Sequence, residues 1–364
     1  MIKLIKNLDC YCPGHAGIND LLICGERIFK IRPNIQHSDL IETIYDCEGM
    51  LAFPGIIDQH VHITGGGGEE GFGSHVTEIE INTILNAGIT TIVGLLGADS
   101  ITRSIHSVYA KAKALEQQGI TTYIYTGSYR VPFPTLTGDV MRDLVLIDKV
   151  IGIGEVAMSD HRSSYMDIQE LLKVAADIHM GGLLGGKAGI MHIHMGDGKA
   201  RFKPLLEIVE KSDLPMSEFI PTHTNRNPEL FEQATAYCLS GGNIDLTSGE
   251  KAGISVPDAI QRLIERKVDL SKVTVSSDAN GSCPEGGVNS IATLYEDIIS
   301  CIKDKGISAE TAFSLVTENV AKVLKLYPRK GALMEGSDAD ILITDKNYNV
   351  NRLFSKGELV LDLK

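Results

Sequence analysis

From Gly55 onward the chain alternates short apolar runs with amphipathic stretches of twelve or more residues, and no other feature restricts the fold as strongly. Runs that are apolar throughout, rather than at every second position, suit strands buried on both faces of a parallel sheet. They are Ile56 to His62, Ile89 to Leu96, Thr121 to Thr126, Val150 to Met158, Ile190 to Met195, Glu218 to His223, Ile244 to Thr247 and Val273 to Ser277. Helical patterns lie between them, at Ile101 to Gln118, Met166 to Ile178, Asn227 to Leu239 and Val256 to Arg266, with Asn289 to Lys305 after the last run. Eight parallel βα units predict an α/β fold, a (β/α)8 TIM-type barrel over residues 53–327. The third connection fits least well, because Val131 to Gly138 carries Pro132 and Pro134 and must begin as a loop.

The two ends read differently. Ile2 to Ile5, Leu21 to Cys24, Ile28 to Ile31 and Ile41 to Tyr45 have the length and turn boundaries of strands, as do Asp340 to Thr344 and Glu358 to Leu361. A helix expected over about Ala309 to Leu326 ends the central part, and Pro328 breaks the pattern. Residues 1–52 and 328–364 are therefore expected to form one small β-sandwich domain beside the barrel.

Composition narrows the class of partner. A chain of 364 residues with 43% hydrophobic content can bury a large core. Its net charge of -13, with Lys and Arg scattered, argues against nucleic acid and favours a small molecule or peptide. No run reaches the roughly eighteen apolar residues of a membrane span, and Met1-Ile-Lys-Leu-Ile-Lys6 opens no export signal. Seven cysteines without a clustered framework fit free thiols, so the expected protein is cytoplasmic and makes no membrane contact.

A barrel places its chemistry at the C-terminal ends of its strands. The first run ends in His60 and His62, two apart and so on one face. The fourth contains Glu155 and leads into Ser159-Asp-His-Arg162, the fifth carries His192 and His194, the sixth ends in His223, and the eighth in Asp278. Only one of His192 and His194 need be a ligand, and His194 lies nearer the strand end. Any one of these residues has an ordinary structural use: Asp278 could cap the next segment, and His223 could be a loop residue. Six ligand-type residues at the ends of five strands together point to a metal site. His15, His37, His75, His106 and His179 lie off the strand ends and read as surface or core.

These residues carry a resemblance. Phe53-Pro-Gly-Ile-Ile-Asp-Gln-His-Val-His62, with single histidines ending strands five and six and an aspartate ending strand eight, resembles the amidohydrolase superfamily. Glu335-Gly-Ser-Asp-Ala-Asp-Ile341 is similar to that superfamily's terminal domain. More narrowly, His60-Val-His-Ile-Thr-Gly-Gly-Gly-Gly-Glu69, Val93-Gly-Leu-Leu-Gly97, Thr126-Gly-Ser-Tyr129, Ser159-Asp-His-Arg-Ser163, Gly181-Gly-Leu-Leu-Gly-Gly-Lys187, His194-Met-Gly-Asp197, His223-Thr-Asn-Arg-Asn227 and Ser276-Ser-Asp-Ala-Asn-Gly-Ser282 resemble the isoaspartyl dipeptidase family, along nearly the whole chain.

The resemblance implies a metallo-dipeptidase that hydrolyses β-aspartyl dipeptides with one or two Zn²⁺ ions, two per subunit being expected here, in a homo-oligomer. It assigns His60, His62, His194, His223 and Asp278 as metal ligands. The family's bridging ligand is usually a carbamylated lysine; here Ile153-Gly-Glu155 stands at that place, so Glu155 is expected to bridge instead. Asp278 is expected to act as general base and then acid for a zinc-activated hydroxide, with Tyr129 polarising the scissile carbonyl. Glu69 would receive the substrate ammonium, Arg162 and Arg226 its carboxylates, and Ser282 a further hydrogen bond. The Gly65 to Gly68 loop, with Gly67, would bring backbone N–H groups close. Ala98 departs from the threonine expected after Gly97. Two rival readings are a dihydroorotase-like or hydantoinase-like cyclic amidase, sharing all the ligands, and a non-catalytic scaffold, which would have shed them.

Overall fold

A computed structural model describes residues 1–282 and 288–363. The N-terminal part supplies β1 (Ile2–Tyr11), β2 (His15–Cys24), β3 (Arg27–Arg32), β4 (Thr43–Asp46) and β5 (Leu51–Pro54). The central part follows with β6 (Ile56–Val61), β7 (Ile89–Gly94), β8 (Thr121–Thr126), β9 (Val150–Met158), β10 (Ile190–Met195), β11 (Phe219–Thr222), β12 (Ile244–Thr247) and β13 (Val273–Ser276). The chain closes on β14 (Ile341–Thr344), β15 (Val350–Ser355) and β16 (Glu358–Asp362).

The central strands form a mixed α/β fold around a curled parallel sheet. β6 to β11 pair in chain order, and β12 pairs with β13. The seams are bridged by main chain. The Thr224 N–H donates to the Asp245 carbonyl (3.3 Å) beside β11, and the His62 N–H donates to the Ala279 carbonyl (2.9 Å) beside β6. Every residue of these eight strands is buried except Tyr123, which explains why they read as continuous apolar runs.

The helices are α1 (Ile81–Asn86), α2 (Ile105–Gln117), α3 (Val140–Leu146), α4 (Ile168–Gly185), α5 (Lys203–Lys211), α6 (Pro228–Leu239), α7 (Val256–Glu265), α8 (Ala292–Lys303), α9 (Ala309–Ser314) and α10 (Glu318–Val323). Their starts have local causes. Asp167 accepts from the N–H groups of Gln169 and Glu170 to cap α4, and Asn227 accepts from Leu230 to cap α6, with Pro228 preset for the first turn. α7 buries Val256, Ala259, Ile260 and Leu263, the spacing of one helical face. Among the described residues no helix is long and apolar enough to cross a membrane.

One expected helix is two. Between α9 and α10 the carbonyls of Leu315 and Val316 accept from the strand N–H groups of Val275 and Ile57 (3.2 and 2.8 Å). Those acceptors serve the seam between β13 and β6, so the helical ladder stops there.

The two chain ends share one mixed sheet of eight strands, in the order β16-β15-β14-β5-β1-β2-β3, with β4 paired to β1. One face holds its own core around Ile5, Leu21, Ile341 and Phe354. The other packs on the central part, where Phe53 stacks on Phe313 of α9 with ring centroids 3.8 Å apart.

Beneath the strand ends a polar staple crosses both seams. Asp245 of β12 accepts from Gln59 Nε2 of β6 (2.7 Å) and Thr274 Oγ1 of β13 (2.6 Å) at one oxygen. At the other it accepts from Thr222 Oγ1 of β11 (2.7 Å) and Ser276 Oγ of β13 (2.5 Å). All five side chains are buried, and donors left without an acceptor there are costly. Asp245→Ala should therefore lower stability by about 3 kcal/mol or more. Urea unfolding measures this, and an unchanged midpoint would contradict the staple's role.

Candidate metal centre

His60 faces the interior from the end of β6 and His62 from one residue beyond it, Glu155 from the middle of β9 and His194 from β10. His223 and Asp278 follow β11 and β13, and both have left-handed backbone (φ 58° and 51°), a conformation that non-glycine residues adopt at a cost and that recurs at functional sites. The structure brings all six side chains together, every one buried. Glu155 lies between two sets of imidazoles. Its Oε1 is 2.7 Å from His194 Nδ1 and 3.0 Å from His223 Nε2. Its Oε2 is 3.4 Å from His60 Nε2 and 3.6 Å from His62 Nε2. Asp278 Oδ1 closes the group, 3.2 and 3.0 Å from the Nε2 atoms of His60 and His62.

This donor set fits divalent metal. Two trios have converging ligand atoms within 4.8 Å of one another: His60, His62 and Glu155, and Glu155, His194 and His223. Among the described residues His60 Nε2 and Glu155 Oε2 are buried without a hydrogen bond, an expensive arrangement for groups that face each other across the centre. The far ring nitrogens of His223 and His60 are held from behind. His223 Nδ1 pairs with Thr247 Oγ1 at 2.7 Å, and His60 Nδ1 with His192 Nε2 at 2.9 Å, which leaves Nε2 of each toward Glu155. His192 is therefore the backing residue of the strand-five pair, with Tyr125 stacked on it at 5.1 Å.

Charge follows the same geometry. Burial works against ionising Glu155, but His60 and His194 outweigh it and hold the carboxyl well below the usual range. Asp278 is likewise held far down, with His60 and His62 overcoming burial. His60 moves well above the ordinary imidazole value, because Glu155 and Asp278 more than offset its burial. Burial and the Arg226 guanidinium lower His223 to about 3. Tyr129 is pushed well above an ordinary phenol by burial and by Glu155, so it keeps its proton as a donor. Its hydroxyl is 2.7 Å from His194 Nδ1.

A cavity of about 1390 Å³ opens over the centre and is lined by Glu69, Gly67, Arg162, Arg226 and Ser282, among others. Gly67 contributes main chain only: its φ is 74°, and a Cβ would lie 2.4 Å from the Ser74 carbonyl oxygen. Glu69 Oε1 is 3.1 Å from Arg162 Nη1 and accepts from Ser282 Oγ at 3.0 Å. The Arg162 fork, expected to be open for a carboxylate, is already engaged: Nε and Nη2 donate to the two oxygens of Asp160, each at 2.9 Å. Nη1 is the nitrogen that faces Glu69. Arg226 Nη1 donates to the Met195 carbonyl (3.1 Å). Ala98 lines the cavity beside Gly97.

Sequence reasoning gave no role to several residues that shape this site. Asp58 accepts from the N–H groups of His60 and Ser277 (3.2 Å each), tying the histidine pair to the strand that delivers Asp278. Asn289 Nδ2 donates to Asp278 Oδ2 at 2.8 Å. Asp160 joins Arg162 to His194. Asp58 lies inside the Phe53–His62 motif and Asp160 inside Ser159–Ser163, which is their one signal in the sequence; Thr247 and Asn289 carry none.

Histidines and carboxylates gathered at the C-terminal ends of a curled parallel sheet define a class, the metal-dependent hydrolases built on such a scaffold. Residues 51–360 match the Amidohydrolase family, and the chain belongs to that family. It is 42% identical to the beta-aspartyl dipeptidase of Fervidobacterium islandicum AW-1, solved in complex with beta-Asp-Leu dipeptide, with a TM-score of 0.94 over 100% of this chain and 97% of the other. It is 24% identical to the imidazolonepropionase of Colwellia psychrerythraea, over 88% of this chain and 84% of that protein. With the D-hydantoinase of Geobacillus stearothermophilus the figures are 22%, 95% and 84%. The dihydropyrimidinase of Brevibacillus agri, at 17% identity over 100% of this chain and 95% of the other, shares the fold with a TM-score of 0.63.

Gly97 offers a local test of the centre. A Cβ there would lie 2.7 Å from His62 Cε1, so the ring must move. Gly97→Ala should weaken retention of divalent metal after dialysis by about tenfold or more, as expected for displaced ligand support. Wild-type metal content in the dialysed variant would contradict the placement of His62.

Proposed function

We propose that this protein is a metallo-dipeptidase that hydrolyses β-aspartyl dipeptides. The observation that carries the reading is the 42% identity, over the full length, to a beta-aspartyl dipeptidase solved with beta-Asp-Leu. The charges around the cavity support it. A β-aspartyl dipeptide presents an ammonium and two carboxylates; Glu69 suits the first, and the guanidinium groups of Arg162 and Arg226 suit the others. Because Glu69 and Arg162 pair in the free protein, substrate exchanges that contact for its own two. A cyclic amide has neither the ammonium nor both carboxylates, so these groups would go unused.

In this reading zinc is the metal, and His60, His62, Glu155, His194 and His223 would hold it, with the Glu155 carboxylate common to both groups of ligands. Bound there, such ions act as Lewis acids and lower the pKa of water toward about 7. Asp278 accepts a proton from the attacking water as its oxygen bonds to the scissile carbonyl carbon. Asn289, donating to Oδ2, leaves Oδ1 turned to the reaction. As the carbon–nitrogen bond breaks, Asp278 passes that proton to the leaving amine. Tyr129, kept protonated, donates to the developing oxyanion, and Ser282 adds a hydroxyl to the substrate-facing wall.

The same reading takes the curled sheet as a (β/α)8 barrel over residues 53–327 and the terminal sheet as a companion domain. Free cysteines support a reducing, cytoplasmic compartment. Exposed Met180, Leu183 and Leu184 on α4 support a contact between copies in a homo-oligomer.

Purified, metal-analysed protein should release leucine from β-Asp-Leu and not from α-Asp-Leu, lose activity on chelation and regain it with zinc. Equal cleavage of both peptides, or none with a loaded site, would sink the assignment. Asp278→Asn should lower kcat by roughly 10²- to 10⁴-fold. A steady-state assay reads this, and a kcat within twofold of wild type would remove Asp278 from proton transfer.

A further inference from the structure

Asp160 sits just past β9, nearly fully buried, and divides its carboxylate between two neighbours of different use. Its Oδ1 accepts from the Arg162 main-chain N–H (2.8 Å) and Nε (2.9 Å). Its Oδ2 accepts from Arg162 Nη2 (2.9 Å) and lies 3.0 Å from His194 Nε2. A carboxylate only accepts, so a proton on His194 Nε2 points to Asp160, and with a metal ion held beside Glu155 the Nδ1 lone pair would be free to serve it. Arg162 Nη2 and Arg226 Nη1 are each 3.2 Å from the same nitrogen, but both are donors with acceptors of their own, Asp160 Oδ2 and the Met195 carbonyl.

The backbone is arranged for this contact. The segment after β10 lies directly on residues 159 and 160, where the Gly196 N–H donates to the Met158 carbonyl (3.0 Å) and the Gly198 N–H to the Ser159 carbonyl (2.6 Å). A Cβ on Gly196 would lie 2.5 Å from Asp160 Cβ, and one on Gly198 would lie 2.3 Å from the Ser159 oxygen. Two positions without side chains thus let the Asp160 carboxylate reach the histidine. Ser159 itself turns through a left-handed conformation (φ 54°) to present it.

We propose that Asp160 is a positioning residue that fixes the His194 ring for metal binding and, by holding the Arg162 fork with the same carboxylate, joins the metal site to the substrate-carboxylate site. The proposal rests on the reading of His194 as a metal ligand. Outer partners of ligating histidines typically govern metal affinity by 10- to 100-fold.

The test is zinc affinity of the metal-depleted full-length chain, measured by competition with a chromogenic chelator, for wild type, Asp160→Asn, His194→Ala and the double variant. Asp160→Asn should bind zinc roughly 10- to 100-fold more weakly, and the same change in the His194→Ala background should cost nothing further. Metal-saturated Asp160→Asn should also show a raised KM for β-Asp-Leu, because Arg162 loses its anchor. Asp160→Glu, which keeps the charge, provides a second variant and should retain more affinity than Asp160→Asn. Wild-type affinity in Asp160→Asn, with affinity lost in His194→Ala, would overturn the role of Asp160 alone. An equal loss in both backgrounds would mean that Asp160 acts on the fold and not through His194. Undiminished binding by His194→Ala would overturn the ligand reading and this proposal with it.

Discussion

The carboxylate of Glu155, wholly buried in the middle of a parallel strand, is the interaction on which this molecule depends. An isolated anion at that depth would be expelled or protonated. Four imidazoles from three other parts of the sheet, at β6, β10 and β11, surround it, and the pull of His60, His194 and His223 outweighs the loss of hydration. The group demands that the sheet curl far enough to bring the end of β6 opposite β10 and β11. The bridges at the two seams and the four donors on Asp245 hold that curl from below. Fold and site are therefore one constraint, because strands that uncurled would leave Glu155 without its partners.

Around this centre the protein spends many polar contacts on orientation. Thr247 and His192 fix the far nitrogens of His223 and His60, Asn289 fixes one oxygen of Asp278, and Asp58 ties the backbone of His60 to that of Ser277. Each contact removes a rotation that a ligand or proton carrier would otherwise have to lose on binding. The cavity wall is organised the same way. Glu69, Arg162 and Ser282 hold one another, so under the proposed function recognition would be an exchange of partners among groups already in place.

Much of this was legible in the residues, and the physics of burial says which part. β8, β9, β10 and β12 have the bounds of their apolar runs, because a strand covered on both faces has few solvent-facing polar positions to blur it. Strands of the terminal sheet were less clear. β1 continues from Ile5 to Tyr11 through Lys6, Asn7 and Asp9, and β15 carries Arg352, buried and paired with Asp362, so charge hid both. α5 has only Leu205 and Ile208 buried among its nine residues, too thin an apolar face to stand out. In the site, His60, His62, His194, His223 and Asp278 could be picked out because polar residues are conspicuous at the ends of apolar runs, and Glu155 because a carboxylate inside one is rarer still. Thr247 and Asn289 could not, since their positions matter only through neighbours that are distant in sequence. The same holds for the engagement of Arg162 by Asp160: two residues apart they read as a local motif, and only the arrival of His194 gives the pair a use.

The most direct test of the central claim is anomalous diffraction at the zinc edge from crystals of protein purified without chelator. Two peaks flanking the Glu155 carboxylate, one beside His60 and His62 and the other beside His194 and His223, are the predicted result. Zinc bound elsewhere with none at Glu155, in crystals of active protein, would contradict the account at its root.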